Sequence, residues 1–235
     1  MLAVESLSAG YTETTVLNGV SLDVSDGEIV ALVGRNGAGK TTTLRTITGA
    51  LTPSHGTVTF RGEEITGLPP MQTARLGIGL VPEERRIFPG LTVEENLRIA
   101  GYGAAKGGGG RSIEAVLDDF ENLRERRTSL GHNLSGGEQQ MLAIGRALIN
   151  GADLLLLDES TEGLAPMIVQ RVQELIRELN TEGLTVLMVE QNLAVVMDVA
   201  DRIYVLDKGE IVYEGTPAEL KDQPEIRDRH LGVSV

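Results

Sequence analysis

The stretch Gly34-Arg35-Asn36-Gly37-Ala38-Gly39-Lys40-Thr41 constrains this chain more than any other. It matches G-x-x-x-x-G-K-[ST], in which glycines let backbone N–H groups turn inward around a polyanion. Ile29-Val30-Ala31-Leu32-Val33, just before it, is a continuous apolar run, the pattern of a strand covered on both faces. Lys40 to Thr48, just after it, reads as a helix whose first turn offers unpaired N–H groups and a positive dipole end. The pattern predicts a phosphate site in which Lys40 holds the outer phosphates and the Thr41 hydroxyl ligates Mg²⁺.

Two further motifs bear on the same chemistry. Leu154-Leu155-Leu156-Leu157 runs into Asp158-Glu159. Alone, an apolar run ending in two acids is a strand entering a turn. In a chain with a phosphate loop, Asp158 is placed to bind the Mg²⁺ shell and Glu159 to polarise an attacking water. Leu134-Ser135-Gly136-Gly137-Glu138-Gln139 reads as a helix start with a Ser135/Glu138 capping box. The cap explains the serine and the glutamate but not two glycines in a first turn, where they cost stability. Bare N–H groups and a hydroxyl make a second anion site. One nucleotide does not need two such sites from one subunit, so this one is expected to complete the site of a partner.

Along the chain, the first third is β-rich, with short segments at Leu2 to Leu7, Ser21 to Val24 and Thr57 to Arg61. From about residue 88 to 150 helical signals take over. Thr92 with Glu95 opens a helix through Ala100, Ser112 opens one to about Arg127, and Ser135 opens one to about Ile149. The run Gly107 to Gly110 reads as a flexible loop. The last third alternates again: strand at Leu154, helix from Pro166 to Gly183, strand Thr185 to Val189, helix Asn192 to Ala200, strand Ile203 to Leu206. An Asp207-Lys208-Gly209 hairpin turn follows, then Glu210 to Tyr213 and a short helix opened by Thr216, Pro217 and Glu219. This order predicts an α/β fold, with a mainly parallel sheet, helices on both faces and a helical insertion.

Composition narrows the function. The chain has 235 residues, a formal charge of −13 and no cysteine. An acidic chain argues against nucleic acid as a partner, which needs a basic face to release phosphate counterions. The absence of cysteine excludes disulfides, thiolate metal sites and cysteine nucleophiles. Met1-Leu2-Ala3-Val4-Glu5 has neither a basic n-region nor a long apolar h-region, so no secretory leader is expected. No apolar run approaches the ~18 residues of a membrane span. Four lysines against seventeen arginines leave an acidic, lysine-poor surface. It reads either as ordinary solvation or as adaptation to high salt.

The phosphate loop, the LSGGE stretch and the LLLLDE strand, in that order, resemble an ABC-transporter ATP-binding subunit over essentially the whole chain. The resemblance implies a phosphate-loop NTPase core with an N-terminal antiparallel β-subdomain and a helical subdomain. The core and β-subdomain would span 1–87 and 151–235, and the helical subdomain 88–150. It implies ATP and Mg²⁺ as cofactors. It also implies a head-to-tail dimer with a second ATPase subunit, a related chain or an identical copy, in which ATP lies between one chain's phosphate loop and the other's Ser135-Gly136-Gly137-Glu138. Arg35, Asn36, Ala38 and Thr42 would join the glycines, Lys40 and Thr41 around the nucleotide, and Tyr11 stands where the family stacks an aromatic on adenine.

Departures from the general pattern narrow the branch. Glu83, in Val81-Pro82-Glu83-Glu84, replaces the usual Gln for Mg²⁺ and water. Ala165 replaces the usual Asp, and Gln191 replaces the usual switch His. Together with Gly137-Glu138-Gln139-Gln140-Met141, these are similar to the branched-chain amino acid (LivF-like) importer subunits. Urea or short-amide importer subunits are the runner-up, followed by a soluble regulatory ATPase. Gln191 positions only by hydrogen bonds, so Glu159 must supply the base. Ser160 stands where even this branch has Pro, which puts the rigidity of that turn in question. The resemblance further implies two membrane-spanning permease subunits, an external substrate-binding protein and a place on the cytoplasmic face of the cell membrane. Contact with the permeases would run through Glu83 to Asn96, where Ile87, Phe88, Pro89 and Leu91 read equally as an exposed apolar patch or as core.

Overall fold

A computed structural model describes residues 1–12, 14–102 and 110–232. The chain opens with a long hairpin, β1 (Leu2–Tyr11) and β2 (Thr14–Val24), and β3 (Ile29–Val33) and α1 (Lys40–Ile47) follow. β4 (His55–Phe60), β5 (Glu63–Glu64), α2 (Pro70–Arg75) and β6 (Ile78–Val81) lead into α3 (Val93–Gly101), α4 (Ile113–Asp119), α5 (Glu121–Glu125) and α6 (Gly136–Ile149). The alternating part is β7 (Leu154–Asp158), α7 (Pro166–Thr181), β8 (Thr185–Glu190), α8 (Leu193–Val199), β9 (Arg202–Asp207) and β10 (Glu210–Gly215). Short helices at Pro217–Lys221 and Pro224–Ile226 and a last helical turn at Arg227–Leu231 close the described chain.

Two sheets form. One is antiparallel, in the order β2-β1-β4-β5. The other runs β10-β9-β3-β8-β7-β6 and is parallel except at the β10 edge. β3, β7 and β8 are buried along their whole length, which is why their sequences read as unbroken apolar runs. One core lies between the parallel sheet and α3–α8, with Leu97, Leu142, Leu157 and Ile176 fully buried. The other lies where the antiparallel sheet packs over α1 and the opposite face, with Leu7, Leu32 and Leu44. In a parallel sheet, loops at the carboxyl ends of neighbouring strands converge. Here those are the loops after β3, β7, β8 and β6.

Three expectations need correcting. The helix expected from Ser112 to about Arg127 is two helices, broken at Phe120 (φ −121°, ψ 76°). Phe120 is buried, and Asp118 and Asp119 would oppose the negative end of a continuing helix. The strand expected only at Ser21 to Val24 begins at Thr14. A bulge at Gly19 (φ +69°) shifts its register against β1 and breaks the alternation that marks a strand. The strand placed at Thr57 to Arg61 runs instead from His55 to Phe60, because Arg61 takes φ +52° in the turn. The expected loop at Gly107 to Gly110 lies outside the described residues except for Gly110, where a Cβ would come within 2.2 Å of the Ile149 carbonyl oxygen.

Candidate active site

The loop after β3 is built around its glycines for separate reasons. At Gly34 a Cβ would sit 2.3 Å from the Leu206 carbonyl oxygen of β9, so the loop packs directly on the neighbouring strand. Gly37 (φ +81°) and Gly39 (φ +114°) hold left-handed backbone that side chains disfavour. Ala38 N–H donates to the Arg35 carbonyl at 3.1 Å, and the Ala38 carbonyl accepts from Gly209 N–H at 2.9 Å. The loop is therefore tied to the β9–β10 turn. α1 has no acid in its own first turn to offset its positive end.

Lys40 is buried, and its ammonium donates to the Gly34 carbonyl at 3.0 Å and the Arg35 carbonyl at 3.3 Å. It also lies 3.0 Å from Glu159 Oε1. Thr41 Oγ1 donates to Asp158 Oδ1 at 3.0 Å. Glu159 follows β7 in left-handed backbone (φ +47°) and donates its N–H to the Val189 carbonyl at 2.9 Å. A cavity of about 510 Å³ is lined by Asn36, Gly37, Gly39, Lys40, Thr41, Thr42, Val16, Glu83, Glu159 and Glu162. Gln191 lines an adjoining cleft of about 880 Å³ that shares Glu159 and Glu162 with it.

The site is dense in carboxylates. Oxygens of Glu83, Glu159 and Glu162 all lie within 4.8 Å of one another. Burial raises the Glu159 pKa, but hydrogen bonds from Glu162 and Lys40 and the Lys40 charge outweigh it and hold the carboxyl below its usual range. Glu162 moves the other way, raised by its hydrogen bond to Glu159 and by that group's charge. Burial raises Asp158, with the charges of Glu159 and Glu83 adding to the rise against the Thr41 hydroxyl. The donor set fits Mg²⁺. A hydroxyl already meeting a buried carboxylate, with further acids beside them, offers the hard oxygen ligands that ion takes.

Tyr11 is exposed at the end of β1, and its hydroxyl accepts from Arg45 of α1 at 3.2 Å. Ser135 caps α6. Its Oγ accepts from Glu138 N–H at 3.3 Å, and Glu138 Oε2 accepts from Ser135 N–H at 2.7 Å. Gly137 is required by packing, since a Cβ there would meet Ile168 Cγ2 at 2.6 Å. None of Ser135, Gly136, Gly137 and Glu138 lines the Lys40 cavity. Within one chain the two anion sites are not brought together.

A family model described as ABC transporter matches residues 17–162. The chain belongs to the ABC transporter family. It is 46% identical over 232 residues to the high-affinity branched-chain amino acid transport ATP-binding protein BraG of Pseudomonas aeruginosa, covering 99% of this chain and 100% of that one. It is 39% identical to a probable branched-chain amino acid transport ATP-binding protein, LivF, of Archaeoglobus fulgidus, covering 99% of each. Among solved structures, a nucleotide-free ATP-binding cassette from an ABC transporter matches with a TM-score of 0.86 at 26% identity, over 100% of this chain and 99% of that one. A dimeric post-hydrolysis cassette bound to ADP and Pi matches with a TM-score of 0.81 at 27% identity, over 92% and 99%. The chain is thus an ABC ATPase subunit with the cassette fold, and no helix among its described residues is long and apolar enough to cross a membrane.

Sequence reasoning missed Glu162 and Glu190. An acid in the turn after Glu159 carries no signal of its own, and Glu190 reads as the end of a buried strand. It also missed Asn96, fully buried in α3. Its side chain accepts from Phe88 N–H at 2.8 Å and donates to the carbonyls of Phe88, Leu91 and Thr92, fixing the loop before α3. In that loop Phe88 is exposed while Ile87 packs on the core, so the expected patch is partly surface and partly interior.

Proposed function

We propose that this cassette hydrolyses ATP to energise uptake of branched-chain or related amino acids, as the names of its relatives suggest. The supporting observation for its chemistry is the Lys40 cavity, where a buried ammonium, the positive end of α1 and the Thr41–Asp158 pair converge beside Glu159. Lys40 binds the outer phosphates, and the inward N–H groups of the loop bind the rest. Thr41, Asp158 and Glu83 would hold Mg²⁺, which when bound neutralises phosphate charge. Glu159 accepts a proton from the attacking water, and its lowered pKa keeps it ionised, and so able to accept, at neutral pH. Gln191 orients that water by hydrogen bonding, and Tyr11 stacks on adenine.

Ser135 to Glu138 serve the ATP of a second subunit, a reading supported by their not lining the cavity of their own chain. The face toward the permease subunits is the groove of about 520 Å³ between α2, β6 and α6, lined by Thr48, Ala74, Leu80, Pro82, Arg85 and Arg146 among others. Arg85 Nε and Arg146 Nε are buried there without a hydrogen-bond partner among the described residues, and Arg146 lies 4.7 Å from the Phe88 ring. The guanidinium groups of Arg85 and Arg146 along this groove suit carbonyl or carboxylate acceptors on a docked permease loop. The experiment is affinity purification from detergent-solubilised membranes. Recovery with two membrane-spanning subunits on the cytoplasmic side supports the reading, and recovery only with ribosomes or DNA contradicts it.

A further inference from the structure

Glu190 ends β8 and is 2% exposed, one residue before Gln191. Its Oε1 accepts three donors from the turn that follows β7. These are Thr161 Oγ1 at 3.0 Å, Thr161 N–H at 3.2 Å and Ser160 Oγ at 3.5 Å, the outer limit of a bond. Ser160 and Thr161 are themselves buried. One carboxyl thus joins the turn that bears Glu159 to the strand end that bears Gln191.

This junction lies at Ser160, where the resemblance drawn from the sequence implies a proline. A proline after the catalytic acid fixes φ by its ring; Ser160 does not. Glu159, immediately before it, is held in left-handed backbone, a conformation that a non-glycine residue keeps only when its surroundings impose it. We propose that Glu190 is a positioning residue for ATP hydrolysis, and that its hydrogen bonds to Ser160 and Thr161 replace the missing proline in holding Glu159 against the nucleotide. The buried polar knot sets the position of two reacting side chains at once, from behind the cavity and without touching ATP. Burial first, and then the charge of Glu159, push the Glu190 pKa up to about 7 against donors from Thr161 and Asn192. The proposal rests on the reading of Glu159 as the base.

The test compares steady-state ATP turnover and equilibrium nucleotide binding in Glu190→Val, Glu190→Gln and Glu190→Val with Ser160→Pro. Glu190→Val removes the acceptor and is expected to lower kcat by about tenfold or more, the scale set by misplacing a catalytic group. Nucleotide affinity should not fall, since Lys40 and its loop keep their places and a loosened Glu159 competes less for the ammonium. Glu190→Gln keeps an oxygen acceptor and should retain most turnover. Adding Ser160→Pro to Glu190→Val should recover most of the loss, which general destabilisation would not allow. Should Glu190→Val fail to fold, Thr161→Val removes one donor at constant shape and is expected to lower kcat alone. Turnover within twofold of the original in Glu190→Val, or in Thr161→Val in its stead, overturns the proposal, as does a loss that proline leaves unchanged. Failure of the base reading would appear separately, as turnover retained in Glu159→Gln.

Discussion

Lys40 carries three N–H donors, and the structure uses all three inside the chain, on the Gly34 carbonyl, the Arg35 carbonyl and Glu159. A phosphate that takes up Lys40 must displace one of them. Glu159 is the one to yield, because it alone shares the sign of the phosphate. Glu159→Gln therefore changes two equilibria in opposite directions. At 11% side-chain exposure Glu159 is little screened by solvent. A charge-assisted hydrogen bond contributes about 1.5–3 kcal/mol and a neutral one about 0.5–1.5, so the substitution weakens the Lys40 contact by about 1 kcal/mol. The free protein should lose about that much stability at pH 7, and ATP should bind about fivefold more tightly, since 1.4 kcal/mol is one decade. Because the fold lowers the Glu159 pKa, the wild-type advantage in stability is present above the unfolded carboxylate range. It disappears as pH falls through the folded pKa. Titration calorimetry with ATP in EDTA, and urea unfolding at pH 7 and pH 3, measure both arms. ATP binding that is equal or weaker in Glu159→Gln would refute the competition for Lys40.

Glu190 is protonated more readily folded, at about 7, than unfolded, at 4.5, so its contribution is fully present below 4.5 and is lost as pH rises through 7. The loss is about 3 kcal/mol at 1.36 kcal/mol per unit. Urea unfolding at pH 5 and pH 8 should show that difference in the wild type relative to Glu190→Gln, and identical pH dependence in both would remove it. Gly34→Ala drives a Cβ into the Leu206 carbonyl and should destabilise by about 1–3 kcal/mol, the range for overpacking. Gly90→Ala, where a Cβ meets nothing within 4 Å, should stay within about 0.5 kcal/mol. Thermal unfolding of the pair checks the contrast, and equal losses would contradict it.

What could be read in the sequence was what local chemistry determines. Thr92/Glu95, Ser135/Glu138 and Thr216/Glu219 each form the capping box that their spacing predicts. Lys208 (φ +49°) and Gly209 (φ +83°) make the two-residue hairpin turn between β9 and β10. The phosphate loop sits between a buried strand and a helix because both flanks carry their own periodicity. Features that depend on distant segments were not legible. The β1–β2 hairpin hides its length behind bulges, β6 is only four residues long, and Phe120 breaks a helix by being drawn into the core. Glu162 and Glu190 gain their roles only when the ends of β7 and β8 lie side by side.

The proposed roles of Glu159 as the base, and of Lys40 and its loop as the main hold on the nucleotide, separate in one variant. Steady-state phosphate release by Glu159→Gln, with ATP binding measured on the same sample, tests them most directly. Glu159→Gln should bind ATP at least as tightly as the wild type, about fivefold more tightly in EDTA, with turnover lowered by about 10²-fold or more, the contribution of a positioned general base. Turnover unchanged with binding intact would contradict the role of Glu159.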